Sequence, residues 1–383
     1  MDNARLAVIT ERLVVHQRNR TKDMGPTAHS RPVREYTDPA RYACEVQALF
    51  RELPIVLAHS SQLPNPGDFL TDDRLGVPIL IARTETGEVA AHLNVCAHRS
   101  AIVETAQCGQ RTHFTCRYHS WMYGLDGRLL RMTDGSAFEG LEPPPTGLTP
   151  VAVAEKYGLI FVRVAPGPPL DIDAFLGPMA QELAALDIGS HRYFATKQTE
   201  LTCNWKVMQE GSLETYHFNG VHTQSIARQY NGMANIFDTF GDHQRFVVPR
   251  RKLLERHESG AQTRDQILPT YFIFPNTAFT APYDHTMLVQ VFPRDLRSCL
   301  FENALLIRTG ASEKDAGYWQ RALDLTQGVN GEDFAVVESI QKAYDTAPAE
   351  RVIHGRNEQG ITAFHAVIDR MLAPHHAALV AKT

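Results

Sequence analysis

The chain has no apolar run long enough to cross a bilayer. The longest runs, Leu53 to Ala58 and Val77 to Ala82, each contain a proline. They reach only about a third of the ~20 residues that a spanning helix needs, so no membrane role is expected. Neither sign of charge dominates. With 38 Lys and Arg against 43 Asp and Glu, the net charge is −5, which argues against nucleic acid or an anionic membrane surface as partner. Cysteine is sparse. Six in 383 residues do not make a disulfide framework, and reduced thiols in a cytoplasmic protein are the expectation. The N-terminal stretch carries Glu11 among its apolar residues and lacks a small-residue cleavage site, so no secretory signal is expected. A glycine-rich dinucleotide fingerprint is also missing, so any nicotinamide electrons would have to arrive from another protein.

What is present is a sizeable core and an excess of histidine. The length favours two domains, 43% of residues are apolar, and 17 are histidine. Residues 1–45 read as a helical or irregular lead-in, with Asp38-Pro39-Ala40 as a helix start. From 46 to 165, short β-rich runs alternate with turn signals such as Asn65-Pro66-Gly67 and Asp126-Gly127, the pattern of a small antiparallel β domain. Ala165-Pro166-Gly167-Pro168-Pro169 reads as a linker. Residues 166–383 mix helical stretches (172–187, 204–217, 332–344, 360–372) with β-rich runs between 270 and 308. This order predicts an α+β domain, an antiparallel sheet with helices segregated to one side, and the lead-in packing on it.

Two short segments tie the cysteines to the histidines. Cys96-Ala97-His98 is followed, after 17 intervening residues, by Cys116-Arg117-Tyr118-His119. A Cys2His2 zinc finger would place both cysteines first, which is not the order here. In this order each loop offers one thiolate and one imidazole. That set suits a Rieske [2Fe–2S] cluster, with thiolates on one iron and imidazoles on the other. The plainer alternatives are four unrelated residues or a zinc site of unusual ligand order.

The flanking residues go further. NVCAHR and YHSWMYGLDGRL resemble the Rieske domain of ring-hydroxylating oxygenases, a family that more often has Gly where this chain has Ser120. Respiratory-type Rieske proteins add a cysteine to each loop; those positions are Ala101 and Tyr118 here, so the resemblance implies the low-potential oxygenase type. Cys108 then reads as an ordinary thiol.

Downstream lie Asn204-Trp205-Lys206, Glu210, Glu214, His217 and His222. Two histidines five apart on a regular helix point about 140° away from each other, so sharing a metal needs a break, which Asn219-Gly220 supplies. Two imidazoles and one carboxylate make the facial triad of non-haem Fe(II) oxygenases. The segment resembles the family pattern E-N-x-x-[DE]-x-Y-H-x(4)-H, with Gly211 where Asn is usual. Glu332-Asp333, with Glu338 and Gln341, resembles the family's E-D-x(4)-E-x-x-Q helix. The resemblance thus implies Asp333 as third ligand and Glu332 as its nearest rival; read alone, Asn330 to Asp333 would be helix N-terminal capping. It also implies that Glu214, an Asp in most relatives, bridges an iron-ligand histidine and His98 or His119 of the next subunit in a head-to-tail homotrimer. Relatives with Glu at this position include oxygenases of carnitine and glycine betaine, although those commonly show E-C-Y-H-C against E-T-Y-H-F here.

The implied activity is that of a terminal oxygenase. It would use O₂ and electrons from NAD(P)H, passed on by a ferredoxin or flavin reductase, to hydroxylate, dihydroxylate or demethylate a small organic substrate. Aromatic acids and quaternary ammonium compounds are the two substrate classes expected. The rivals are a non-catalytic Rieske electron-transfer protein and a small-molecule sensor. Phe218, Phe272, Phe274, Tyr283 and Phe292 are candidate pocket residues, although strand-like runs make core packing the plainer role for most.

Overall fold

The computed structural model describes residues 3–282, 284–311, 314–346 and 350–380. Two compact units emerge: Phe50–Phe175, and Met1–Leu49 together with Leu176–Thr383. The smaller unit extends past the Pro-rich stretch to include most of helix Ile172–Leu176, because Asp173 accepts hydrogen bonds from Lys156 and Tyr157.

The smaller unit is built from three antiparallel sheets. One has the order Val89–Leu93, Ile79–Arg83, Asp68–Asp72, Cys108–Gln110. Another is the short set Phe114–Thr115, Met122–Tyr123, Leu129–Arg131. Phe69, Leu80, Phe114, Trp121 and Tyr123 pack between them, with Cys96 and Cys116 in the same core. The two candidate cluster loops therefore leave the sheets over a buried apolar floor.

The larger unit centres on a seven-stranded antiparallel sheet. Strands from Ile236–Phe240 to Ser298–Ile307 run as a meander, and Arg192–Leu201 joins beside the last of them. The two-residue period sorts its side chains cleanly. Phe246, Val248, Leu268, Thr270, Met287 and Val289 line a cavity on one face. The 31-residue helix Ala316–Thr346 packs on that face, where Trp319 and Leu323 meet Met287, Leu305 and Ile307. Helix Gln359–Val380 is there too, with Phe364 against Phe272 and Phe274. On the opposite face, Val247 and Ile267 meet Ile9, Leu13 and Val14 of helix Asn3–Asn19, while Arg245 reaches Glu182. The α+β class holds, but the helices cover both faces rather than one.

The local predictions fail where glycines mislead. Asp38 does cap helix Pro39–Glu45, accepting from the Ala40 N–H at 2.8 Å. The stretch 204–217 is not one helix, because Trp205–Gly211 ends at Ser212. Asp333 does not sit at a helix start. Gly328 and Gly331 weaken helix propensity locally, yet they lie inside the long helix, whose buried stripe is set by Trp319, Leu323, Val337 and Gln341. Among the described residues no helix is long and apolar enough to cross a membrane.

Candidate metal centres and substrate cavity

The two cluster loops share one geometry. The Cys96 N–H donates to the Ala101 carbonyl at 2.8 Å, and the Cys116 N–H to the Trp121 carbonyl at 2.9 Å. The Ser100 and Ser120 N–H groups donate back to the carbonyls of Cys96 and Cys116, each at 3.0 Å. Closing so tight a turn needs a left-handed residue, and Ser100 and Ser120 adopt φ of 56° and 58°. Glycine would take that conformation without a Cβ penalty, which is the physical content of the Gly-to-Ser departure at Ser120.

These turns bring the four side chains together. Cys96 and Cys116 are 3% and 1% exposed, whereas His119 is exposed. The His98 and His119 rings lie 4.5 Å apart, and His98 stacks on the Trp121 indole at 4.9 Å. Nδ1 of His98 is buried without a hydrogen-bond partner, an arrangement that fits a nitrogen reserved for a metal. The Tyr123 hydroxyl lies 3.1 Å from Cys96 Sγ, and hydrogen bonds to ligand sulfur are one of the levers on cluster potential. Cys108 is an exposed free thiol on another strand.

In the larger unit, the long helix fixes the segment that carries the histidines. Glu338 accepts from the Thr202 N–H and hydroxyl, and Gln341 accepts from the Asn204 N–H at 2.8 Å. Asn204 then caps helix Trp205–Gly211. Within that helix Lys206 is fully buried and paired with Glu45, which also accepts from the Trp205 indole. Removing one member of such a pair costs about 3–5 kcal/mol because its partner is left charged and buried. Glu210 is held by the Tyr36 hydroxyl and by His365 Nε2, each at 2.7 Å.

His217 and His222 flank the single helical turn Phe218–Val221, as its first and last boundary residues. Asn219-Gly220 is not the break; it lies inside that turn. The chain instead leaves helical geometry at His222, with φ −95° and ψ 31°. The two rings converge to 5.0 Å. Asp333 completes the group: its Oδ1 lies 3.9 Å from His217 Nε2 and 3.3 Å from His222 Nε2. Ligand atoms of all three fall within 4.8 Å of one another, and among the described residues no other His, Cys, Asp or Glu group does so. Two imidazole nitrogens and one carboxylate oxygen suit Fe(II) with open positions.

Each imidazole is gripped from behind. Glu214 bonds Nδ1 of His217 and accepts from the Tyr216 and His217 N–H groups. Glu332 lies 2.7 Å from Nδ1 of His222 and accepts from the Ser225 hydroxyl at 2.7 Å. Glu332 is thus aimed behind His222, away from the shared position that the sequence made it a rival for. Burial opposes charge on His222, but Asp333 and Glu332 outweigh it and raise its pKa. A proton therefore competes with a cation there, and metal loading is expected to strengthen as pH rises. Replacing Glu332 with glutamine should weaken iron affinity about tenfold, since partners of this kind orient the ring and raise its basicity. Iron titration of the apo-protein against a chelator checks this, and equal affinity would contradict it.

Beside this group lies a cavity of about 770 Å³. Phe218 lines it, but Phe272, Phe274 and Phe292 are core residues, and Tyr283 falls outside the described residues. Gly211 opens its wall, because a Cβ there would meet nothing within 4 Å.

Comparison with known proteins matches a family to each part of the chain. Residues 54–141 match the Rieske [2Fe-2S] domain family, and residues 188–374 match the ring hydroxylating alpha subunit (catalytic domain) family. The chloroplastic choline monooxygenase of Beta vulgaris is 28% identical over 356 residues, covering 88% of this chain and 76% of that protein. The glycine betaine monooxygenase oxygenase subunit of Chromohalobacter salexigens is 32% identical over 231 residues, covering 60% and 50%. A quaternary ammonium Rieske monooxygenase solved with L-carnitine shares the fold, with a TM-score of 0.78 at 22% identity over 91% of this chain and 96% of that one. The chain belongs to the Rieske non-haem iron oxygenases, as an oxygenase α subunit that carries a Rieske cluster and a mononuclear iron and takes its electrons from NAD(P)H through a reductase.

Proposed function

We propose that this terminal oxygenase holds its iron with His217, His222 and Asp333 and its cluster with Cys96, His98, Cys116 and His119. The observation that carries the first assignment is the convergence of two imidazole Nε2 atoms on one carboxylate oxygen beside a large cavity. When bound, the cluster stores an electron and the iron activates O₂. The protein's own residues do the rest. Glu214 and Glu332 accept hydrogen bonds from the Nδ1–H groups of His217 and His222, which keeps the proton on Nδ1 and leaves each Nε2 unprotonated towards the metal position. The apolar wall of the cavity, with Met208, Val248, Leu268 and Val289, offers an organic substrate a surface to pack against.

A head-to-tail homotrimer, with Glu214 facing a cluster histidine of the next subunit, is part of the same proposal. So are residence in the cytoplasm and a ferredoxin or flavin reductase as donor. The cluster is assigned to the Phe50–Phe175 unit and catalysis to the other, a small shift from the 46–165 and 166–383 boundaries expected from sequence. The names of the relatives make quaternary ammonium compounds the first class to try as substrates, with aromatic acids as the second.

The test is a reconstituted assay with reductase and NADH, read by O₂ uptake and product mass. Expected are iron beyond that of the cluster, substrate-dependent O₂ uptake, and a product that gains oxygen or loses a methyl group. Iron confined to the cluster with no O₂ uptake would make this an electron-transfer protein. Ligand binding without NADH consumption would make it a sensor.

A further inference from the structure

The charges around the cavity do not suit a cation. Besides Glu214 and Asp333, the charged side chains lining it are Arg228 and Arg321. Glu214 is engaged by His217, and Asp333 faces both imidazoles. Among the described residues no carboxylate pairs with either arginine; Arg228 bonds only the Gln224 amide. A ligand entering this space therefore meets two exposed arginines that make no salt bridge among the described residues, and no free carboxylate in the lining.

Of the five Phe and Tyr rings lining the cavity, all but Phe246 are already engaged. Lys314 sits 4.0 Å over the Tyr318 ring, and Arg250 sits 4.9 Å over Tyr230. The Phe218 ring is packed edge-on against His217 and His222, and Phe301 against Phe334. Binding a quaternary ammonium needs open ring faces or negative charge; protein cations sit over the two tyrosines, and the single Phe246 ring is less than the several faces an ammonium cage is built from. Asp284, just outside the lining, is spoken for as well. Burial opposes its charge, but Lys314, Tyr318 and His285 hold its pKa well below the carboxylate range.

The shape is also informative. Arg321, Ala322, Leu325, Val329 and Asp333 fall on one stripe of the long helix, spaced as a helix face requires. Arg321 and Asp333 are twelve residues apart, about 18 Å along the axis at 1.5 Å per residue. Between them Ala322, Leu325 and Val329 form an apolar strip, with Thr326 and Asn330 beside it, and Leu325 is 70% exposed although it lies on the cavity side. Choline-sized molecules would fill a small part of about 770 Å³.

We propose that the cavity takes a carboxylate with an extended apolar body, its anionic end met by Arg321 and its far end lying towards His217, His222 and Asp333. Arg228 adds positive potential at the same cavity. This rests on the oxygenase reading above and names the substrate class of that site.

The test is anaerobic binding to the cluster- and iron-loaded protein, measured by calorimetry. The probes are biphenyl carboxylate, its primary amide, biphenyl trimethylammonium and choline. The carboxylate is expected to bind at least about tenfold tighter than the amide, in keeping with the strength of charge-assisted Arg–carboxylate bonds. Arg321→Gln should erase that ratio and leave the amide's affinity unchanged, which also shows that the variant is folded. Tighter binding of either ammonium probe, or an unchanged ratio in Arg321→Gln, would overturn the proposal. Because no O₂ is present, failure of the oxygenase reading would appear separately, as a tightly bound carboxylate that supports no O₂ uptake in air.

Discussion

Replacing His217 with alanine is expected to abolish turnover while leaving the absorbance and EPR signal of the cluster intact. The four proposed cluster ligands all lie within the Phe50–Phe175 unit, and the His217 group lies wholly in the other. Loss of one imidazole leaves a histidine and a carboxylate, too few ligands to hold Fe(II) in a three-residue face. No other described His, Cys, Asp or Glu is placed to substitute. Asp333→Ala should behave in the same way, because its Oδ1 is the oxygen on which both Nε2 atoms converge. Iron analysis and single-turnover product yield are the readouts. A His217→Ala protein that retains its turnover would remove the metal assignment altogether.

Glu214→Gln is expected to slow single-turnover oxidation of the cluster by roughly 10- to 100-fold, with both metals retained. A glutamine oxygen can still accept from Nδ1 of His217, so the ring keeps its tautomer and the iron stays bound. What is lost is the negative charge behind the imidazole, which stabilises positive charge on the ring and can take up a proton when an electron arrives. Stopped-flow recovery of the oxidised cluster's visible absorbance, after reduced protein is mixed with substrate and O₂, measures this. An unchanged rate would reduce Glu214 to a structural turn residue, a role its bonds to the Tyr216 and His217 N–H groups could also explain.

The parts of these sites differ in how openly the sequence shows them. Both Cys–His pairs are local, each closed by one tight turn, so spacing alone exposes the cluster. The two histidines are local too, but their geometry is not. A helical turn with boundary residues at both ends brings them together, where periodicity predicts divergence. Asp333 emerges only through family resemblance, because Gly328, Asn330 and Gly331 imitate a helix start inside a long helix. The part played by Glu332 is not legible at all, since it depends on His222, which is 110 positions away. Strand Arg192–Leu201 also escapes notice. Its residues, RYFATKQTEL, are polar and half exposed, and its pairing comes from the last strand of the sheet.

The long helix also bears on how such an enzyme can change over generations. Its C-terminal half is pinned, because Glu338 and Gln341 lock it to the segment leading to the histidines and so fix where Asp333 stands. Its N-terminal half carries the cationic end of the cavity and is anchored to the sheet by Trp319 and Leu323. A deletion of one turn between Arg321 and Val329 would draw the cationic end about 5 Å closer while leaving the three metal-facing side chains in register. New substrates of different length can therefore be tried in steps of whole turns without rebuilding the chemistry, whereas a one-residue change beyond Asp333 would rotate the helix by about 100° and destroy it.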